Sequence, residues 1–554
     1  MTVDLCLLNG RLVNVLTGEI YRCDLSIMDG KFWGFEAMPA HKTIDLEGRF
    51  IAPGFIEGHI HLESSHVLPK ELVPVFLRNG VTTVVADPHE IANAGGLEGI
   101  RYLLKKTEDL PVDFYFLAPS CVPASPLETA GYTIGLEEIE LLRNEPRVIG
   151  LGEMMNYPGV ISGDKTVHAK CDMFCNGIID GHAPGVTGKD LDAYIRPGIY
   201  SDHETADQQE ALEKIRKGMM LMIREGSSAK NGSLLKIIND KNDSRFMIVS
   251  DDNSPADMAN NSYISSRMER LVKKNAYDPV RIIRGLTINP AQYFRFHKKG
   301  AVVPGYHADC AILNSLDRLD VFMTIHNGTI VYHERMKEEK ETVEDYDFPL
   351  SLPVREFSAS DFNVQVPPGS EVRAIAVTDG QILTGEKRFT STAQDGVVPS
   401  DTVNDFLKIA VIDRYSGACN HAVGFVHGIG LRSGALATTY NHDAHNIVVL
   451  GADDADMAAA VNLCVNNGGG IAFAASDVYS VLPFDLYGIM SSAPLTVVAE
   501  KTQAIEALLK KHGCTLSQAL STLSFLSLSV VPALKITDKG LIDVSTFSIT
   551  ELYV

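Results

Sequence analysis

Two histidines, His59 and His61, stand one residue apart at the end of a short apolar run, within Gly54-Phe55-Ile56-Glu57-Gly58-His59-Ile60-His61. In a strand, residues i and i+2 project from one face, so both imidazoles can turn toward one cation. Further ligand-type residues recur at the ends of later strand-like runs: Glu153 in Gly152-Glu153-Met154, His182 in Asp180-Gly181-His182, His203 in Asp202-His203-Glu204, and Asp251 in Ser250-Asp251-Asp252. Six such residues exceed the need of one tetrahedral ion. The inferred arrangement puts His59, His61 and Asp251 on one ion and His182 and His203 on another, with Glu153 bridging. Two ions sharing a water lower its pKa and make hydroxide at neutral pH. All-N/O ligation suits manganese, iron or zinc.

What would bring these residues together is an alternation of apolar runs and helical patterns. Eight candidate strands fall at 55–59, 81–86, 113–118, 148–153, 177–181, 198–201, 219–223 and 246–250. Each is β-rich or continuously apolar, as in strands buried on both faces. Helical patterns at 69–78, 97–106, 188–194 and 207–217 separate several of them. Eight such units predict a (β/α)8 barrel of about 250 residues, whose strand C-termini share one mouth. Residues 53–300 match that size.

The flanks read differently. The first 50 residues suggest short strands with hairpin dipeptides at Asn9-Gly10 and Asp29-Gly30, and Asn327-Gly328 repeats the pattern. A small β domain built from 1–52 and 301–345 is therefore expected. Residues 335–355, charged and then proline-containing, suggest a linker. Residues 351–554 suggest a further α/β domain, with strands at 374–377, 409–412 and 447–450 and a helix at 455–465. The fold class expected is thus α/β: a TIM-like metallo-barrel, a small β domain from both flanks and an additional C-terminal α/β domain.

With 554 residues, a net charge of −21 and a pI near 5.2, the chain is a poor partner for nucleic acid or an anionic membrane. No apolar run approaches the roughly 18 to 20 residues that span a bilayer. No basic n-region marks a signal peptide. Nine cysteines lack zinc-ribbon spacing, and Cys171 and Cys175 suit one helix face as a buried, reduced pair. A cytoplasmic location is the expectation.

At its ligand residues the chain resembles the amidohydrolase superfamily, and within it the bacterial and archaeal adenine deaminases. The resemblance is carried by 53–65, by Asp87-Pro88-His89-Glu90-Ile91-Ala92-Asn93, by His182-Ala183-Pro184-Gly185 with Gly188-Lys189-Asp190-Leu191, by Ser201-Asp202-His203-Glu204 and Ser250-Asp251-Asp252, and by His442-Asp443-Ala444-His445-Asn446-Ile447. It covers nearly the whole chain. It implies hydrolytic deamination of adenine to hypoxanthine and ammonia by a metal-bridging hydroxide, in purine salvage. Two divalent ions are implied, manganese or iron before zinc. Asp251 is the implied proton carrier and Glu153 the bridge. His89, Glu90, Glu63 and Asp252 are implied substrate contacts. A homo-oligomer, a dimer, is the superfamily's habit. Glu153 stands where many members carry a carbamylated lysine, which supports the assignment. Asn253 replaces a frequent arginine and Ala444 a usual serine, near the substrate contacts. The cluster His442, Asp443 and His445 either closes over the mouth or forms a buried network at the domain boundary. The competing readings are cyclic-amide hydrolysis of the hydantoinase or dihydroorotase kind, and a non-catalytic barrel scaffold.

Overall fold

A computed structural model of the chain describes residues 1–227, 230–260, 263–274, 276–336, 351–393 and 396–554. Most of the expected linker at 335–355 lies outside the described residues.

The barrel is built of parallel strands in the expected order. The first five are Phe55–His61, Val81–Ala86, Asp113–Ala118, Val148–Met154 and Ile178–Gly181. The sixth to eighth are Ser201–Asp202, Met220–Arg224 and Phe246–Val249. Runs such as Val81–Ala86 and Phe246–Val249 are buried at every residue, which is why they read as continuous apolar segments rather than alternating ones. The sixth strand is two residues long and starts later than the expected 198–201, because Gly198 takes a left-handed φ of 107° and holds the chain out of the sheet.

Hydrogen bonding divides the barrel into two ladders, one from the first strand to the fifth and one from the sixth to the eighth. The ladders meet where the Gly181 amide donates to Ser201 Oγ at 3.2 Å. A Cβ on Gly181 would lie 2.0 Å from the Ser201 carbonyl oxygen, so this seam requires glycine. On the other side the chain leaves the eighth strand and returns as Asp251–Asp252, pairing in parallel with Ile60 and His61. Asp251 adopts φ 62°, a left-handed conformation that costs a non-glycine residue about 1–3 kcal/mol.

The flanking segments join in one eight-stranded sheet. It combines Val3–Asn14, Glu19–Met28, Lys31–Gly34, Ala40–Asp45 and Phe50–Pro53 with Cys310–Ser315, Asp320–His326 and Thr329–His333. Asp29-Gly30 and Asn327-Gly328 are tight turns with both residues at positive φ, as a two-residue hairpin needs. Asn9-Gly10 is not a hairpin. It lies inside Val3–Asn14, where the register slips between Leu7 and Gly10, and the Asn9 amide is taken by Asp24 Oδ1 at 2.8 Å. Here only Asn9 is left-handed, at φ 56°, and the dipeptide makes a bulge in which a side chain replaces the lost ladder bond.

Beyond residue 351 the chain forms a mainly antiparallel eight-stranded sheet that includes Glu371–Ala376, Phe406–Ile412 and Ile447–Gly451. Helix Asp454–Asn466 packs on it, capped by Asp453, whose carboxylate accepts from the amides of Ala455 and Asp456. This region grips the barrel's loops. Asp538 accepts from the Thr129 amide and hydroxyl at 2.9 and 2.6 Å, and the Ser491 amide donates to the His66 carbonyl at 2.7 Å.

All nine cysteines are free thiols. Cys171 is buried but Cys175 is exposed, because helix Lys165–Met173 ends before reaching it. The expected buried pair does not form. Among the described residues no helix is long and apolar enough to cross a membrane.

Candidate metal centre and its cover

The six expected ligand residues converge at the mouth formed by the strand C-termini. Glu153 stands between two groups of imidazoles. Its Oε1 lies 3.3 Å from His61 Nε2, while Oε2 lies 2.6 Å from His182 Nδ1 and 3.1 Å from His203 Nε2. Asp251 Oδ1 lies 3.1 Å from His61 Nε2 and 3.6 Å from His59 Nε2. The donor atoms of His59, His61 and Glu153 lie within 4.8 Å of one another, as do those of Glu153, His182 and His203. His59 Nε2 is buried with no hydrogen-bond partner. An orphaned buried nitrogen beside two carboxylates fits a cation.

The outer nitrogens explain why Nε2 is the free atom. His59 Nδ1 is 2.8 Å from Asp180 Oδ2, and His61 Nδ1 is 3.0 Å from the Asp87 carbonyl. Each acceptor takes the Nδ1 proton, which leaves Nε2 as a lone-pair donor. Asp180 is itself anchored by Ser201 Oγ at 2.6 Å and the Gly181 amide at 2.9 Å.

Arg224 completes the metal edge of the site. Its guanidinium reaches Glu204 Oε1 and Oε2 at 2.5 and 2.9 Å and Asp251 Oδ2 at 2.8 Å. Burial alone would raise the Asp251 pKa. His59, His61 and Arg224 outweigh that and hold the carboxyl well below its usual range.

A cavity of about 50 Å³ lies over these residues. Its polar edge includes His89, Asp252, Glu204, His442 and Asp443, and its apolar wall is Met155, Ile382, Phe525 and Leu528. Of the four expected substrate contacts, His89 and Asp252 border this chamber, while Glu63 and Glu90 stand one layer back. Glu63 Oε1 accepts from the Ile91 amide at 3.0 Å, and burial pushes its pKa up to about 7.

The cluster from the C-terminal region reaches into the same place. His442 Nδ1 is 2.5 Å from Glu90 Oε1, and His445 Nε2 is 2.7 Å from Glu90 Oε2. The His442 ring stacks on Phe525 with centroids 4.3 Å apart and planes at 20°. Burial works against a charge on His442, but Glu90 and Asp252 outweigh it and bring its pKa to about 9. The apolar cover is tied down from behind. The Lys535 ammonium donates to the carbonyls of Ile382 and Phe525 at 3.0 and 2.9 Å. Burial alone pushes its pKa down to about 7.

Several functional residues escaped sequence reasoning. Asp180, Asp87 and Glu204 sit inside quoted motifs, and Arg224 ends the seventh strand, so extending the strand-end rule to every strand finds it. Ile382, Phe525, Leu528 and Lys535 carry no motif, since only tertiary folding brings them to the mouth.

Family models match along the chain: the amidohydrolase family over residues 50–333 and the adenine deaminase C-terminal domain over residues 381–548. With the barrel and its ligand-lined mouth, the match over residues 50–333 places the chain in the amidohydrolase family. Full-length relatives narrow this. The adenine deaminase of Methanothrix thermoacetophila is 41% identical, over 100% of this chain and 97% of that protein. Those of Kosmotoga olearia and Desulfatibacillum aliphaticivorans are 40% and 39% identical, over 100% and 99% of this chain and 96% and 97% of theirs. Among solved structures, a crystal structure of an adenine deaminase superposes at a TM-score of 0.46 with 19% identity, covering 60% of this chain and 100% of that one. The chain belongs to the adenine deaminases, whose family uses divalent metal.

Proposed function

We propose that this chain hydrolyses adenine to hypoxanthine and ammonia in purine salvage. One observation carries the reading at the site: Glu153 turns one carboxylate oxygen to His61 and the other to His182 and His203. His59, His61 and Asp251 would hold one divalent ion and His182 and His203 the other, with Glu153 shared. Nitrogen and oxygen donors without thiolate suit manganese, iron or zinc alike, and the resemblance to the adenine deaminases puts manganese or iron first. When bound, such ions supply the Lewis acidity that makes water nucleophilic at neutral pH.

The side chains do the rest. Asp251 is kept ionised and is held by one oxygen on Arg224, so it can take a proton from the attacking water and pass it to the leaving amine. Met155, Ile382, Phe525 and Leu528 offer an apolar wall to a flat ring and exclude bulk water. His89 and Asp252 meet the ring's polar edge, while Glu63 and Glu90 brace that edge from behind. Free thiols throughout suit a reducing cytoplasm, and a homodimer is the assembly proposed.

The test is the ultraviolet absorbance of adenine with manganese-loaded protein against a metal-free control. Metal-dependent conversion to hypoxanthine, with one ammonia per turnover, is expected. Protein that holds two metal ions and leaves adenine untouched would sink the substrate.

A further inference from the structure

Hydrolysis at carbon 6 needs more than a nucleophile and one proton carrier. As oxygen adds to C6, the electron pair of the C6–N1 double bond moves onto N1, and N1 must gain a proton for addition to proceed. Asp251, at the metal edge, serves the water and the amine. The donor to the ring has to come from another wall of the chamber.

The geometry points to His442, supplied by the C-terminal region and oriented by Glu90 from the barrel, as the acid that protonates the purine ring. This role rests on the adenine reading above. Three observations support it. First, Glu90 faces both imidazoles with its two oxygens. His445 Nδ1 accepts from the Asn441 amide at 3.2 Å, so its proton sits on Nε2, which lies 2.7 Å from Glu90 Oε2 as a close polar contact. The other oxygen of this fully buried carboxylate lies 2.5 Å from His442 Nδ1 and pairs with that side of the ring as an ion-pair contact. Nε2 is then the atom left to work. Second, His442 borders the chamber together with Asp252, whose Oδ2 is 3.8 Å from His442 Nε2. Third, stacking on Phe525 sets the ring plane. An imidazole with one nitrogen on a carboxylate and the other in a chamber is an oriented acid–base group.

Water gives oxygen to C6, and His442 Nε2 gives its proton to N1, whose new N–H bond uses the former double-bond pair. The C6–N bond then breaks. Its pair leaves with the amine, which takes from Asp251 the first proton of the attacking water and departs as ammonia. The new hydroxyl gives up its remaining proton as the C6 oxygen closes to a carbonyl, and that proton restores neutral His442 to its charged form.

His442 also borders a second cavity of about 240 Å³, lined by Ser64, Ser254, Tyr440, Ser521 and Ser524 among others. That space can admit a small molecule where the His442 side chain has been removed.

The experiment compares wild-type, His442→Ala and His442→Gln, each loaded with manganese and assayed for metal content. Both variants should retain two ions and a KM within a few-fold, with kcat down about 10²- to 10⁴-fold. Added imidazole should restore kcat in His442→Ala saturably, by tenfold or more, which a merely structural histidine would not show. Glu90→Gln, keeping an acceptor on His442, should lose less. A His442 variant with kcat near wild-type overturns the role, as does a folded, metal-loaded His442→Ala that imidazole cannot rescue. If His442→Ala fails to fold, the kcat of His442→Gln decides. Wild-type protein inactive on adenine would sink the substrate reading and this role with it; active wild-type beside unimpaired variants sinks this role alone.

Discussion

Consider Lys535→Met. The wild-type ammonium is fully buried on two backbone carbonyls, with no carboxylate paired to it among the described residues, and its pKa falls from 10.5 to about 7. Between pH 7 and 10.5 the unfolded chain therefore binds more protons than the folded one, so stability rises with pH across that window. Two pH units at about 1.4 kcal/mol each, reduced because the folded group is half-titrated at pH 7, give a gain of about 2 kcal/mol between pH 7 and 9. Methionine cannot titrate and should remove that slope. It also loses two hydrogen bonds, at roughly 1 kcal/mol apiece and independent of pH. A chain of this size need not unfold in one step, so local opening is the better readout. Amide exchange in strand Leu534–Thr537, corrected for its intrinsic pH dependence, should be compared in both proteins at pH 7 and 9. Protection of wild-type relative to variant should grow roughly thirtyfold between the two. A ratio that stays constant within threefold would refute the argument that burial holds this lysine near neutrality.

Two further perturbations address the metal edge. Arg224→Met strands the carboxylates of Glu204 and Asp251, so kcat should fall about 100-fold with metal retained, and Arg224→Lys should recover part of it; steady-state kinetics with parallel metal analysis reads this. Asp180→Ala removes the acceptor that sets the His59 tautomer, and should weaken metal affinity about 10- to 100-fold in a competition titration with a chelator, with no change expected in the barrel's circular dichroism.

The barrel was legible because strands buried on both faces leave uninterrupted apolar runs, and because one mouth collects whatever follows each strand. That logic reached His59, Glu153 and Asp251 directly. It misjudged Asn9-Gly10, since an Asn-Gly pair serves a hairpin or a bulge; here only Asn9 is left-handed and its amide is taken by Asp24. It placed Cys175 on a helix face that stops two residues earlier. The cover of the site was illegible for a different reason. Phe525 and Ile382 are ordinary apolar residues far from the barrel in sequence, and nothing local distinguishes a lining side chain from a core one. His442 and Glu90 were each visible as polar residues in dense motifs, but their pairing spans more than 300 positions.

The sheet sewn from both flanks of the barrel has a consequence for synthesis on the ribosome. Strand Phe50–Pro53 pairs with Cys310–Ser315, so the amino-terminal strands emerge about 250 residues before the partner that completes their sheet. At about 5–20 residues per second that is a wait on the order of tens of seconds. During it, Phe50–Pro53 presents an open edge to any passing chain. A nascent-chain factor that shelters this edge, or slowed translation before residue 310, would change the yield of active protein without touching a single catalytic residue.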